Sequence, residues 1–427
     1  MKYVFYLTAL IQIPVFFITL YYIIISIFGI YKGKRHKEFE PQKKFAIIVA
    51  AHNEEMVIGH IIDSLMDLDY PHNMYDVFVI ADNCTDKTAK IADIHGAYVF
   101  ERQNDKQRGK GYALEWMFQN IFSMKKKYDC IAVFDADNLV SKNFLREMNN
   151  KLCEGYKVVQ GFLDSKNPND SWITASYSIA FWSSNRMFQL AKSNLGLSSQ
   201  IGGTGFCVDV ELLKQLGWGA TCLTEDLEFS CKLILNGEKI GWAHDAVIYD
   251  EKPLTLKQSW KQRKRWMQGF ADVSGRFFFK LLIKGIKDFD ITALDCALYT
   301  IQPYILIVFG VSTILTFTQS SLNIPLNVFL IKFLLSSALG IGDEMWNIIM
   351  IIQFFYTPAL LLLDRKLDLR ISLWYIIYPL YVLTWIPIAL SGIMNKNNKE
   401  WTHTIHTRQI SIEDIENSCE NGKESLA

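Results

Sequence analysis

"CIAVFDADN", residues 130–138, is an apolar run that ends in two carboxylates one residue apart, Asp135 and Asp137, with Asn138 behind them. Its length and apolar character are those of a buried strand, so the acidic pair sits at the strand's carboxyl end. Two carboxylates that close repel each other unless a cation or a proton lies between them, which makes the tip a solvated turn or a metal site. Spacing alone does not choose, because the same D-x-D pattern recurs at Asp67/Asp69 and at Asp288/Asp290.

Context separates the three. "KFAIIVAAH" (44–52) and "DVFVIADN" (76–83) are also short apolar runs with polar ends, each followed by a helical stretch. This alternation predicts βαβ units: an α/β domain over residues 40–250 built on a mainly parallel, mixed sheet with helices on both faces. Ligands gather at the carboxyl ends of such strands. His52, Asn53 and Glu54, then Asp82, then Asp135 and Asp137 all fall there. Asp67 and Asp69, by contrast, lie in "DSLMDLDYP" at a helix end before a proline turn, and Asp288 and Asp290 in "IKDFDIT" before an apolar segment. Both read as solvated surface.

The flanks have a different composition. Half of the 427 residues are hydrophobic, and they concentrate toward the ends. From Tyr3 to Tyr31 there is no charge, over a stretch longer than the roughly 20 apolar residues a bilayer crossing requires. The run lacks a small-residue cleavage site and is too long for a signal peptide. The basic "KGKRHKEFEPQKK" that follows places the next domain in the cytoplasm by the positive-inside rule. Four further spans are expected near 296–318, 323–341, 345–363 and 371–394. The partition is then a membrane helix at 1–33, the cytoplasmic domain at 40–250, amphipathic interface helices at 251–292, four membrane helices at 293–395 and a cytoplasmic tail at 396–427. Five crossings put the basic loop "DRKLDLR" (364–370) outside, against the same rule. Eight scattered cysteines without C-x-x-C spacing read as reduced packing residues, and zero formal net charge argues against nucleic acid as a partner.

Four motifs follow in order: "AAHNEE" (50–55) with "ADNCTD" (81–86), "DAD" (135–137), "TED" (224–226) and "QRKRW" (262–266). Together, between an N-terminal span and a C-terminal cluster of spans, they resemble the membrane-embedded, inverting family 2 glycosyltransferases, which include cellulose, hyaluronan, chitin and poly-N-acetylglucosamine synthases. The resemblance covers nearly the whole chain. It implies a GT-A-type fold and transfer of a sugar from a nucleotide sugar, usually a UDP-sugar, to an acceptor hydroxyl. By the same resemblance Ala50, His52, Glu54 and Asp82 lie near the base and ribose, and Lys110 of "RQNDKQRGKGYAL" lies near the diphosphate. Asp137, assisted by Asp135, would hold Mg²⁺ or Mn²⁺ against the phosphates. Asp226 matches the base, with Glu225 orienting it. Gln262, Arg265 and Trp266, at i, i+3 and i+4 of a helix, would contact phosphate and sugar, and Gly203 and Thr204 of "GGTGF" would line the acceptor path.

Each motif also has an ordinary reading. Carboxylates after Thr224 can cap a helix, a basic helix with tryptophans can lie on a membrane, glycines can shape a turn, and "RQNDKQRGKG" can be a solvated loop. The W-G-x-R element of hyaluronan synthases and the F-x-V-T-x-K loop of bacterial cellulose synthases are missing. "KEWTHTIHTR" (399–408) instead resembles the tails of poly-N-acetylglucosamine synthase relatives. The expected activity is elongation of a polysaccharide at the cytoplasmic membrane face with export. The alternatives are single transfer to a lipid and, third, a dead transferase serving transport or scaffolding. Expected partners are the donor, a polysaccharide or lipid acceptor, membrane lipids and room for an accessory membrane subunit.

Overall fold

Alternate residues of β1 (Phe45–Ala51) go to opposite sides of one sheet, as the two-residue period of a strand requires. Phe45, Ile47 and Val49 pack with Ile58, Ile61, Ile62 and Leu65 of one helix and Phe144, Leu145 and Met148 of another. Ala46 and Ile48 pack on the opposite face with Ala113, Leu114, Met117 and Phe118, and with Leu212 and Leu213. Each fully buried aliphatic chain contributes about 1.5–3 kcal/mol, so two apolar layers hold the strands between helices. The computed structural model describes residues 2–33, 37–219, 222–321, 354–398 and 406–415.

The sheet has eight strands in the order β3-β2-β1-β4-β7-β6-β8-β5, with β2 at Tyr75–Asp82, β3 at Tyr98–Arg102, β4 at Cys130–Asp135, β5 at Leu139–Val140, β6 at Val158–Ser165, β7 at Phe206–Asp209 and β8 at Ile240–Asp250. The half from β3 to β4 is parallel, β7 runs antiparallel to both its neighbours, and β6 and β8 are parallel again. This is the expected mixed α/β sheet. Register sets the site: Ala50 pairs with Ile80 on one side and with Asp135 on the other, so the ends of three strands lie level. Just past two of them, Asn53 and Asn83 adopt φ of 53° and 51°, left-handed turns that asparagine tolerates better than most residues.

A 32-residue helix, Leu256–Lys287, carries "QRKRW". Thr255 and Gln258 close its N-terminus with reciprocal side-chain to backbone bonds, a capping box. It is fastened to the helix Glu225–Leu235 by Arg276, which donates two bonds to the Glu228 carboxylate at 2.8 and 2.9 Å. It also approaches Thr224 at Gly269, where a Cβ would lie 2.4 Å from the threonine hydroxyl.

Among the described residues, three helical stretches are long and apolar enough to cross a membrane: Thr8–Ile27, Gln302–Gln319 and Leu369–Met394. The expected span at 296–318 is divided between Ile291–Thr300 and Gln302–Ser321. The one at 323–341 lies outside the described residues, and of 345–363 only Phe354–Leu363 is described. The first and second stretches are joined by side chains, Gln12 donating to Thr316 and Gln319 at 3.0 Å each.

The last stretch, expected at 371–394, carries features its composition does not announce. It is divided at Thr384 into Leu369–Leu383 and Trp385–Met394, and both ends are tied to the α/β domain and its long helix. At one end Asp364 pairs with Arg186, Lys366 with Asp164, and Asp368 accepts a bond from Asn169 at 3.2 Å. At the other, Gln268 donates to the Asn395 carbonyl at 2.9 Å. The basic loop 364–370 is therefore held against the α/β domain, whereas five crossings would put the two on opposite sides of a membrane. Composition registers only apolar length; the ion pairs that hold the loop are made with residues about 180 to 200 positions away.

Candidate active site

Lys110 opens the helix Lys110–Ser123 after Gly109, whose φ of 114° turns the chain inward. Its ammonium is ion-paired with Asp135 and donates to the Gly203 carbonyl at 2.7 Å. The acidic strand tip and the "GGTGF" turn are thus joined through one side chain. Thr204 takes part as well: its hydroxyl accepts the Asp135 N–H at 3.0 Å and donates to Asn138. Gly203 has φ of 86°, and a Cβ there would stand 3.4 Å from Asp226 Oδ2, so the turn presses on the "TED" segment.

Glu225 and Asp226 occupy the first turn of the helix Glu225–Leu235, whose N-cap Thr224 makes no side-chain capping bond. Asp226 Oδ1 accepts the Leu227 N–H at 2.8 Å. Burial raises the Asp226 carboxyl above its ordinary range despite that bond and the nearby Lys110 charge. Burial and the neighbouring Asp226 push Glu225 up to about 7. Buried carboxyls raised toward neutrality are placed to exchange protons.

Arg265 faces this group. Burial lowers its pKa, while Glu225, Asp135 and Asp226 hold it up. Gln262 accepts the Tyr177 hydroxyl at 2.9 Å. Trp266 meets Tyr177 and Phe181 edge-on, centroids 6.1 and 6.3 Å apart, and stacks on Trp385 at 6.4 Å. The three motif residues thus gather around Tyr177, Arg265 toward the carboxylates and Trp266 toward an aromatic cluster.

At the nucleotide side, His52 Nδ1 lies 2.7 Å from the Asp82 carbonyl. Asp82 is buried and accepts from Arg102 at 2.5 Å and from Asn83 at 3.1 Å. The Glu54 N–H donates to Thr88 at 2.8 Å, and its carboxylate lies 3.0 Å from His406 Nδ1. Ala50 is the strand residue level with Asp135. Arg108 instead is exposed and binds Asp105 at 2.9 Å. The other D-x-D pairs are on the surface: Asp67 and Asp69 bind Lys142 and Arg146 at 2.7 and 2.8 Å, and Asp290 caps a helix. The seven described cysteines form no disulfide.

Asp137 is nearly buried. One oxygen accepts the Glu251 N–H at 3.0 Å, the other the Asn138 amide at 3.4 Å. Burial acts to raise its pKa, but the charges of His406 and Lys166 and the Glu251 bond outweigh it, and the carboxyl stays below its usual range. An ionised carboxylate with a second carboxylate nearby is an oxygen donor set that suits Mg²⁺ or Mn²⁺. No group of three or more His, Cys, Asp or Glu among the described residues makes a closed metal site. That accords with an ion that takes one or two protein ligands and completes its shell from substrate phosphates. The residues fit.

His406, Arg102, Lys166 and Glu251 are absent from the sequence reading. His406 arrives from the tail: the Thr407 and Arg408 N–H groups donate to the Glu251 carboxylate, Arg408 pairs with Asp170, and Gln409 reaches Met56. "KEWTHTIHTR" drew notice as a tail, but nothing in its spacing points at Glu54.

A sequence profile described as "Glycosyltransferase like family 2" matches residues 41–269, more than half of the chain and every motif above. The chain belongs to this family. Among its relatives, the Synechocystis sp. β-monoglucosyldiacylglycerol synthase is 30% identical over 248 residues, 54% of this chain and 48% of that one. The Staphylococcus epidermidis poly-β-1,6-N-acetyl-D-glucosamine synthase is 24% identical over 283 residues, 62% of this chain and 66% of that one. The chain thus spans about half the length of the first and about two thirds of the second. A mannosyltransferase from Pyrobaculum calidifontis, solved with GDP-Man and Mn²⁺, has the same GT-A fold at a TM-score of 0.59 and 17% identity, over 92% of this chain and 99% of that chain.

Proposed function

We propose that this chain transfers a sugar from a nucleoside-diphosphate donor to an acceptor presented at a membrane surface, with inversion by direct displacement. The observation that carries the reading is the convergence on Lys110: the Asp135 carboxylate and the Gly203 carbonyl bind it, and Glu225 and Asp226 act on it. One charged group thus faces both the acidic strand tip and the candidate base.

In this reading Ala50, His52, Glu54 and Asp82 border the nucleoside, and Lys110 and Arg265 face the diphosphate. Asp137, with Asp135 beside it, would hold the divalent ion, which when bound neutralises charge on the leaving diphosphate. Asp226 takes the proton from the attacking hydroxyl, Glu225 beside it; its raised affinity for protons suits that work at neutral pH. Gly203 and Thr204 fix the gap between the tip and the base. Gln262 and Trp266 hold the acceptor end.

The membrane setting extends the same reading. The helices Thr8–Ile27 and Gln302–Gln319 cross the bilayer with the α/β domain on the cytoplasmic face. The pair Leu369–Met394, tied to that domain at both ends, lies along it. Leu373, Ile376, Leu380 and Leu390 are exposed on this pair and face lipid. The acceptor then meets Trp266 at the bilayer surface, which favours a membrane lipid. The likeness to a glucosyldiacylglycerol synthase supports it. Elongation of a polysaccharide is the second reading, favoured by the likeness to poly-N-acetylglucosamine synthases. Purified full-length protein in vesicles, supplied with radiolabelled UDP- or GDP-sugars and Mn²⁺, separates the two. A solvent-extractable product of one or two sugars supports the lipid reading, and a long polymer overturns it.

A further inference from the structure

Arg263, inside "QRKRW", is fully buried, and no role described above uses it. One terminal nitrogen donates to the Thr384 hydroxyl at 2.8 Å, while Nε and the other terminal nitrogen make no hydrogen bond among the described residues. The guanidinium lies instead against three rings, its central carbon 4.3 Å from the centre of Tyr381, 4.9 Å from Trp385 and 6.0 Å from Tyr177. Cation–π contacts offset part of its desolvation, yet a buried charge without an anion gains little stability from its place, and an apolar side chain of like volume often serves as well or better. Stability alone does not explain an arginine here.

Its neighbours do. Tyr381 and Trp385 flank Thr384, where the last apolar stretch is divided. The division has a local cause: Pro387 offers no N–H to the Leu383 carbonyl four residues back, and its ring crowds that carbonyl. Thr384 accepts from Arg263 and donates to the Tyr381 carbonyl at 2.6 Å, so the guanidinium grips the break itself. Tyr177 comes from the helix Trp172–Ser184 of the α/β domain. The same rings surround the acceptor end: Trp266 stacks on Trp385 and meets Tyr177, whose hydroxyl donates to Gln262. Arg263 and Trp266 thus share two partners. We propose that Arg263 is a positioning residue for the acceptor: it bolts the motif helix to the break at Thr384, and Trp266 keeps its place on Trp385 through that bolt. The inference rests on the reading of Trp266 as an acceptor contact and gives Arg263 no contact with donor or metal.

The test is a double-mutant cycle on Arg263→Met and Trp266→Phe. Purified full-length protein is placed in vesicles of phosphatidylethanolamine, phosphatidylglycerol and dioleoylglycerol with radiolabelled UDP- or GDP-sugars and Mn²⁺, and transfer of label to any product is followed. Arg263→Met should cut transfer about tenfold, the scale of a desolvated cation–π contact, with nucleoside-diphosphate affinity unchanged and Tm no lower than wild type. Thr384→Val, which removes the bond at nearly equal volume, should lower transfer in the same direction. In a Trp266→Phe background Arg263→Met should cost nothing further, because residues that act through one another are not additive. Unchanged transfer in Arg263→Met, losses that multiply in the double variant, or a lowered Tm with weakened nucleotide binding overturn the inference and leave the acceptor reading standing. Trp266→Phe at the wild-type rate, or no transfer by wild type, overturns the acceptor reading and this inference with it.

Discussion

Nδ1 of His406 lies 3.0 Å from Oε1 of Glu54, a contact between residues 352 positions apart. It closes the C-terminal tail onto the turn after β1, next to Asp137. Burial opposes the imidazolium, but Asp137 and Glu54 outweigh it and push the His406 pKa up to about 10. A pKa raised on folding adds stability that is complete below the unfolded value, about 6.5, and is lost as pH rises through the folded one. In metal-free buffer the Tm difference between wild type and His406→Ala should therefore be largest below about pH 6.5 and vanish above about 10. A difference that stays constant to pH 11 would refute the charged contact.

Asp137→Ala should abolish sugar transfer that depends on Mg²⁺ or Mn²⁺, whereas Asp67→Ala, on the surface, should leave it intact. The measurement is donor turnover in purified membranes with added ion and with excess chelator. Full turnover in chelator, or in the Asp137 variant, removes the metal assignment.

Asp226→Asn should lose on the order of 10² to 10⁴ in transfer rate while still binding UDP, the usual cost of deleting a positioned base. The pH profile of wild type carries a second sign. Glu225 titrates near 7 and Asp226 is raised, so protons occupy the pair as pH falls, and the rate should drop on the acid side of about 7. An Asp226→Asn enzyme at wild-type rate would make the residue a helix-end carboxylate and nothing more.

Placement of the 364–370 loop on the side of the α/β domain predicts a labelling pattern. On a background without native cysteines, Arg370→Cys should resist an impermeant thiol reagent in intact cells and react once the membrane is opened. Labelling of the Arg370 variant in intact cells would return the loop to the outside.

The sheet and most of the site were readable because they are local. Strand ends announce themselves as an apolar run meeting polar residues, and Asp82, Asp135 and Asp137 each sit at such a junction. Position within the fold then separated Asp135/Asp137 from Asp67/Asp69, which spacing could not do. His406 and Lys166 were not readable. Their surroundings are made by tertiary approach: the tail crossing to β1, and β6 lying beside β8, whereas locally one is a histidine among threonines and the other a lysine in a polar turn. The 371–394 segment was readable only in part. Its composition is that of a span, and only the partners of Asp364, Lys366 and Asn395 reveal that both ends are held.

The helix Leu256–Lys287 is unbroken for 32 residues, about 48 Å at 1.5 Å per residue. Arg265 sits near one end, and the apolar helices begin just beyond the other. Such a rod is a lever: a tilt of about five degrees displaces its far end by roughly 4 Å over that length, more than a hydrogen bond tolerates. Arg276 and Gly269 clamp it against the helix that bears Asp226, so any tilt of the rod would carry Arg265 and Asp226 as one body.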